Sequence, residues 1–563
     1  MIRRVLKICA AALALACVFG ASASAKDKPP LAIGLAPVKD WSVQQPFLDV
    51  MKTARRWIGH RPGQWGGRDF DRLEEAGLLD AQGWPTSVPG DLNAIGTVIL
   101  TDLPAQATAL AGRYRLTFDG DGIVEVAGRA TNKRYQDNMV MFDFTPGQGP
   151  VEIRIQRSDP RNTGDYVRNI RVVHTEHAAA LDAGAVFRPD FLSMLDGFEL
   201  LRFMDWMNTN NSDAQQWERR ARVSDFSYTR HGVPLEVMLE LAARVGADAW
   251  FNMPHLAGDD YVRAFAQATR AGLKPDQRVY VEYSNEVWNW QFEQARWADA
   301  QGQELWGIEH RGAQFYGLRA AEVANIWAEE FADARAQLTT VIATQTGWLG
   351  LEKDMLTAPL AVADGFAPPK DSFDAYAITG YFGHALGTDK RRALIGGWLQ
   401  DSETAAELGA RAAGLNGEAL DVYVGAHRFD LAVNLAAEEL RNGAQSGDSN
   451  DTVHDLLTRI FPYHVEVAAQ HGLDLIMYEG GTHVVGIGAQ LDDDALAEFF
   501  THLNYTPQMA ALYAELMDGW AALGVGPFNV FTDIQTPSKW GSWGAQRWPG
   551  DDNPRWRAIE SRK

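Results

Sequence analysis

Eight short apolar runs, each the length of one strand, are spread over the chain, and most are separated by stretches with helical periodicity. They are Leu31–Pro37, Phe198–Trp206, Ala247–Pro254, Arg278–Tyr283, Thr339–Thr344, Asp374–Thr379, Leu473–Tyr478 and Pro527–Thr532. Between them lie amphipathic, Ala-rich segments such as Leu235–Arg244, Tyr261–Ala271, Ala313–Ala334, Leu431–Arg441 and Ala495–Leu503. Strands alternating with helices in this way build a parallel sheet, and eight units close into a barrel. The fold class expected is therefore α/β, a (β/α)8 TIM barrel. Each run tends to end in polar or aromatic residues, and strand carboxyl ends are where such a barrel keeps its chemistry.

One region has a different texture. From Pro85 to Thr175 the chain carries short runs, several alternating apolar and polar, at Thr97–Thr101, Arg113–Phe118, Ile123–Val126, Asn138–Phe144, Val151–Gln156 and Val167–Val173. Turns such as Asp119-Gly120-Asp121-Gly122 separate them, which is the pattern of a β-sandwich. The expected organisation is a leader over 1–25, the first barrel strand and a connecting segment over 26–84, an inserted β-sandwich domain over 85–175, and the rest of the barrel over 176–563. A second long connection, Gly383–Phe461, exceeds an ordinary βα loop, and its helical composition predicts a lid or cleft wall.

The amino terminus has a basic, apolar and small-residue order: Arg3, Arg4 and Lys7, an apolar segment to Gly20, then Ala23-Ser24-Ala25. That order predicts a secretory signal cleaved after Ala25, and with it a periplasmic or secreted protein. Leu15-Ala16-Cys17 leaves open lipid attachment at Cys17. Both cysteines, Cys9 and Cys17, fall inside the leader, so the mature chain is expected to have no disulfides or thiolate metal sites. No later stretch is long and apolar enough to span a membrane. A formal charge of −21 argues against nucleic acid and anionic membrane surfaces as partners. No cofactor or metal is expected: HExxH, phosphate-loop and dinucleotide motifs are lacking in a supporting context, and Asp492-Asp493-Asp494 reads as a helix start.

Two strand ends carry the chemistry. Val281-Glu282-Tyr283-Ser284-Asn285-Glu286-Val287-Trp288 closes the fourth run on an Asn-Glu pair, and Leu473–Tyr478 leads directly into Glu479, followed by Gly480-Gly481-Thr482-His483. Paired carboxyl groups suit glycoside hydrolysis, where one protonates the leaving oxygen and the other attacks or stabilises the anomeric carbon. The first must carry a proton near neutral pH; the second must stay ionised. The 19 Trp and 15 Tyr fit a sugar-binding surface, because pyranose C–H faces pack on flat rings. Trp206, Trp288, Trp290, Trp348, Trp540 and Trp543 lie at or just beyond strand ends, and Trp288 and Trp540 are taken as substrate-binding candidates.

On these residues the chain resembles the clan A glycoside hydrolases, the (β/α)8 group that includes the family-five cellulases and mannanases. The resemblance covers the barrel, residues 31–70 and 180–550, and rests on pattern. It implies that Glu286 is the acid/base at the fourth strand, that Glu479 is the nucleophile at the seventh, and that the mechanism is retaining. It also implies that Arg202 holds the nucleophile ionised, that Asn285 binds the sugar 2-hydroxyl, and that His255 and Tyr381 contact substrate or orient the nucleophile. One departure is visible: the eighth run ends in Asp533, without the clan's tryptophan platform, and the aromatics come later. The expected function is a retaining glycoside hydrolase acting on a β-linked oligo- or polysaccharide. Two alternatives stay open: a non-catalytic carbohydrate-binding protein, for example for cellulose, on a glycosidase-like barrel, or a lyase on the same fold.

Overall fold

A computed structural model describes residues 30–563. The expected leader, its cleavage point and Cys17 lie outside the described residues. Within them, all eight anticipated barrel strands form, in chain order Leu31–Gly34, Leu200–Arg202, Asp248–Met253, Val279–Tyr283, Leu338–Ala343, Ala375–Phe382, Asp474–Thr482 and Phe528–Val530. They are parallel and adjacent in that order, and the first pairs with the last (Leu31 beside Phe528) to close the barrel. The chain is an α/β protein built on a (β/α)8 barrel.

Alternate residues of each strand face inward and have to fill a tapering interior. Here small residues on some strands (Ala32, Ala343, Ala375, Ala377) meet large ones on others (Trp250, Tyr280, Tyr478). The outward set, including Ile33, Phe251, Val281 and Met477, packs under the helices in the main hydrophobic cluster. The anticipated helices form at Leu235–Val245, Asp259–Gly272, Gly312–Glu330, Asp430–Asn442 and Asp494–Leu503. Asp493 caps the last of these by accepting from the Leu496 amide, so the aspartate run is a helix start.

Between the first and second barrel strands lie two antiparallel sheets. One has four strands in the order Arg168–His174, Gly112–Asp119, Met139–Phe144 and Thr131–Gln136. The other has five: Gly67–Arg68, Ile58–His60, Ala94–Ile99, Val151–Ser158 and Gly122–Gly128. Alternating side chains such as Tyr114, Leu116 and Phe118, or Val151, Ile153 and Ile155, are buried, and they share one hydrophobic cluster with the outer layer of the barrel. The join is made by specific contacts. Trp57 stacks on Phe226, from the loop after the second barrel strand, at 5.4 Å between ring centres. The buried Asp49 carboxylate accepts from the Val172 amide at 2.9 Å.

The Gly383–Phe461 connection is helical, with Arg392–Ala412, Glu418–His427 and Asp430–Asn442. Its two ends are tied together where the Asp451 carboxylate accepts from the Ala385 amide at 2.6 Å. Among the described residues no helix is long and apolar enough to cross a membrane.

Candidate active site

The carboxyl ends of the barrel strands surround a cleft of about 1430 Å³ whose lining includes Glu286, Glu479, Asn285, Trp288 and Tyr381. Local backbone irregularities place the two carboxyl groups there. In the seventh strand the pairing with the sixth runs from Met477↔Ile378 to Glu479↔Thr379, which leaves Tyr478 as an extra residue. A bulge of this kind re-aims side chains. Tyr478 fills the barrel interior and Glu479, next to it, faces the cleft. Gly481 follows at φ +136°, and a Cβ there would fall 2.4 Å from the Tyr513 hydroxyl, so only glycine fits. After the fourth strand Ser284 and Glu286 both take positive φ, 62° and 43°. Non-glycine residues held in that region cost about 1–3 kcal/mol each and cluster at functional sites.

Arg202, at the end of the second strand, sits at the centre. Its Nη1 donates to Glu479 Oε1 at 2.7 Å; its Nη2 donates to Asn285 Oδ1 at 2.8 Å and to Glu282 Oε2 at 3.0 Å. The rings of Trp250 and Tyr478 lie 5.3 and 5.2 Å from the guanidinium carbon. Tyr381 Oη donates to Glu479 Oε2 at 2.9 Å. Glu286 accepts from Tyr478 Oη at 3.1 Å and from Asn289 Nδ2 at 2.9 Å. Asn285 donates to Asn210 Oδ1 at 3.1 Å, which Gln294 also contacts at 2.7 Å.

Burial pushes the Glu479 carboxyl up to about 8, against the pull of Arg202; Glu286 adds to the rise whenever it is itself ionised, and the Tyr381 hydroxyl opposes it. Taken alone, that value would leave the group protonated at neutral pH. The hydrogen bonds argue otherwise. Each oxygen of Glu479 already accepts from a donor, one of them an arginine that does not lose its proton, and both bonds are stronger to the charged form than to the acid. This is the surrounding of a carboxylate, and we take Glu479 as ionised at neutral pH. Burial, then the charges of Glu479 and Glu286, hold the Tyr381 phenol well above its ordinary range, so it stays a donor.

The structure brings Glu286, Glu479, Arg202, Asn285, Trp288 and Tyr381 together and leaves two of the anticipated residues outside. His255 is buried with its ring edge-on to Trp297, its carbonyl accepting from Tyr283 Oη at 2.8 Å, and it does not line the cleft. Trp540 is 63% exposed beyond the rim. Its neighbour Trp543 turns back into the cleft, against Tyr381, His483 and Phe531 at 5.8, 5.1 and 5.8 Å. Trp206 is core. Sequence reasoning missed Asn210, Asn289, Tyr478, Phe531 and the buried Glu282. Tyr478 and Glu282 were inside the strand runs already singled out, and only the barrel register assigns them a direction.

No protein-family model matches the chain, and no curated protein matches it. Six chains of solved structures match. One of them, from a structure of two fungal β-1,4-galactanases, is 11% identical, covers 53% of this chain and 81% of its own, and superposes with a TM-score of 0.20. A likeness that slight has no bearing on function, which has to be read from the side chains above.

Proposed function

We propose that the protein is a retaining glycoside hydrolase that cleaves β-linked glycans by double displacement, with Glu479 as nucleophile and Glu286 as acid/base. The observation that carries this reading is the asymmetry of the two carboxyl groups. Glu479 is buried and held by a cation and a phenol; Glu286 meets it across the same cleft with neutral partners only. A Glu479 oxygen attacks the anomeric carbon as the glycosidic C–O bond breaks, and its electron pair leaves with the departing oxygen, which takes the Glu286 proton. In the second step Glu286, now a carboxylate, removes a proton from water, whose oxygen displaces Glu479 from the anomeric carbon. Asn285, aligned by Arg202 and Asn210, is placed to bond a sugar hydroxyl in the transition state.

Several features fit a glycan in the cleft. Trp290, 55% exposed, lines it, and Trp288 and Trp543 add flat faces. In a strongly acidic chain this favours neutral polymers over uronate polymers. Given the leader read from the sequence, the site of action is the periplasm or the exterior.

A panel of neutral and uronic-acid polysaccharides tests the reading: new reducing ends support it, whereas binding without products, or unsaturated products absorbing in the ultraviolet, overturn it. Glu286→Gln and Glu479→Gln are each expected to remain folded and to lose at least about three orders of magnitude in turnover. Azide is expected to rescue Glu286→Ala as a β-glycosyl azide, and no rescue or an α-product removes Glu286 from its role.

A further inference from the structure

A third glutamate lies beneath the pair, and the two-step reaction gives it no part. Glu282 precedes Glu286 by one helical turn of sequence but belongs to the fourth strand, facing the barrel interior, and is 1% exposed. Its Oε2 collects three donors: Asn252 Nδ2 at 2.7 Å, Arg202 Nη2 at 3.0 Å and Trp250 Nε1 at 3.1 Å. The same guanidinium grips Glu479 through its other nitrogen at 2.7 Å. One cation is thus shared by two carboxylates, closed in by the rings of Trp250 and Tyr478. Burying an extra carboxylate is costly, and apolar packing would fill the same space without that cost. Orientation of Arg202 by a neutral acceptor would also avoid it. What only a carboxylate adds is charge.

We propose that Glu282 is a positioning residue for the nucleophile, acting through Arg202: it pins one side of the guanidinium fork and shares its positive charge, so that Glu479 stays ionised yet remains basic enough to attack. This rests on the assignment of Glu479 as nucleophile. The other groups facing Glu479 are Arg202 from the second strand, Glu286 from the loop after the fourth, Tyr381 from the sixth and Tyr478 beside it; Asp205, after the second strand, adds negative charge near Arg202. Glu282 and Asn285 both accept from Arg202 Nη2, the nitrogen away from the nucleophile, and of the two only Glu282 carries charge.

Glu282→Gln is the test. Its amide oxygen can keep all three donors, and its nitrogen takes the place of Oε1, which has no hydrogen-bond partner among the described residues. With one negative charge gone, the acid limb of kcat/KM is expected to move down by about one pH unit while the alkaline limb stays in place. A downward shift of less than about half a unit, or any upward shift, overturns the proposal. A purely structural role would change stability and leave the limb where it was. Should the Gln variant not fold, Glu282→Asp keeps the charge but falls one methylene short of the fork; it is expected to hold the limb and lose about tenfold or more in kcat, and a kcat within about twofold of wild type overturns the idea. Infrared titration of the carboxyl band, taken as the difference from Glu479→Gln, reads the same coupling without turnover. If the glycan panel fails while this titration moves as expected, it is the function that is wrong and not the network.

Discussion

Replacing Arg202 by methionine would test the centre of the site most severely. Methionine keeps an unbranched apolar stem out to about the position of Nε but removes the cation that two carboxylates share. Breaking a buried ion pair by deleting one partner costs about 3–5 kcal/mol, because the remaining charge is left without compensation. Here the size depends on pH, and the sign follows from the shifts. Burial raises both Glu282 and Glu479 above the usual 4.5 even with Arg202 present. Below pH 4.5 both groups are protonated whether the chain is folded or unfolded, and the variant loses little. As pH climbs above that value, the unfolded chain releases its protons and the folded variant holds them over a wider pH range than the folded wild type does, so the deficit grows by about 1.4 kcal/mol per unit for each group only over the interval in which the variant alone still holds its proton. The deficit relative to wild type is therefore expected to be under about 1 kcal/mol near pH 4.5 and to reach about 3–5 kcal/mol near pH 7.5. Urea unfolding followed by tryptophan fluorescence at several pH values measures it. A deficit that stays flat across this range, or stays below about 1 kcal/mol at pH 7.5, refutes the picture of a cation holding two buried carboxylates.

Three further outcomes follow from the same geometry. Tyr381→Phe removes one donor from Glu479; a hydrogen bond to a charged group is worth about 1.5–3 kcal/mol, so kcat/KM is expected to fall about 10- to 150-fold with the melting temperature nearly unchanged, and steady-state kinetics beside thermal unfolding checks this. In the wild type the acid limb of kcat/KM is expected above the ordinary carboxyl value of 4.5, because Glu479 is buried, and below neutral pH, because Arg202 and Tyr381 hold it ionised there, with activity rising with pH as Glu479 ionises; a limb below 4.5 contradicts the burial argument. Replacing residues 58–174 by a Gly-Ser bridge is expected to leave the barrel insoluble or molten, because Trp57 and Phe226 lose Trp84 and the buried Asp49 loses the Val172 amide, and native near-ultraviolet circular dichroism from the shortened chain disproves it.

How much of this was legible in the sequence depended on whether a residue's direction could be read without its neighbours. The eight barrel strands were, since each is a short apolar run bounded by polar residues, and all eight form where expected. The two strands missed in the sandwich hairpin, Ile58–His60 and Gly67–Arg68, are three and two residues long and too short to show a period. Thr131–Gln136 is exposed at every position, so its sequence Thr-Asn-Lys-Arg-Tyr-Gln gives no apolar alternation to find. It exists because the strand Met139–Phe144 pairs with it, which is a tertiary fact.

The same distinction separates the site residues that were found from those that were not. Glu286 follows the fourth strand and Glu479 lies toward the carboxyl end of the seventh, the side of a barrel that carries the cleft, so their position along the chain was informative. Trp540 and Trp543 lie in one irregular loop, and which of them turns inward is decided by Gly541. At φ +132°, with a Cβ position 2.5 Å from the Trp543 ring, this glycine lets the chain double back, so that the indole of Trp543 donates to the Trp540 carbonyl and swings under Tyr381. His255 had the right residue type at a strand end but a structural destination, since its carbonyl is taken by Tyr283 and its ring by Trp297. Glu282 is the converse. It reads as one more residue of a buried strand, and a charged residue there is expensive unless something answers it. The answer comes from Arg202, 80 positions away, and from Trp250 and Asn252 on the strand between them. Period-two alternation places Glu282 inside the barrel; only the closed ring of strands shows that the carboxylate and the nucleophile hold the same cation from opposite sides.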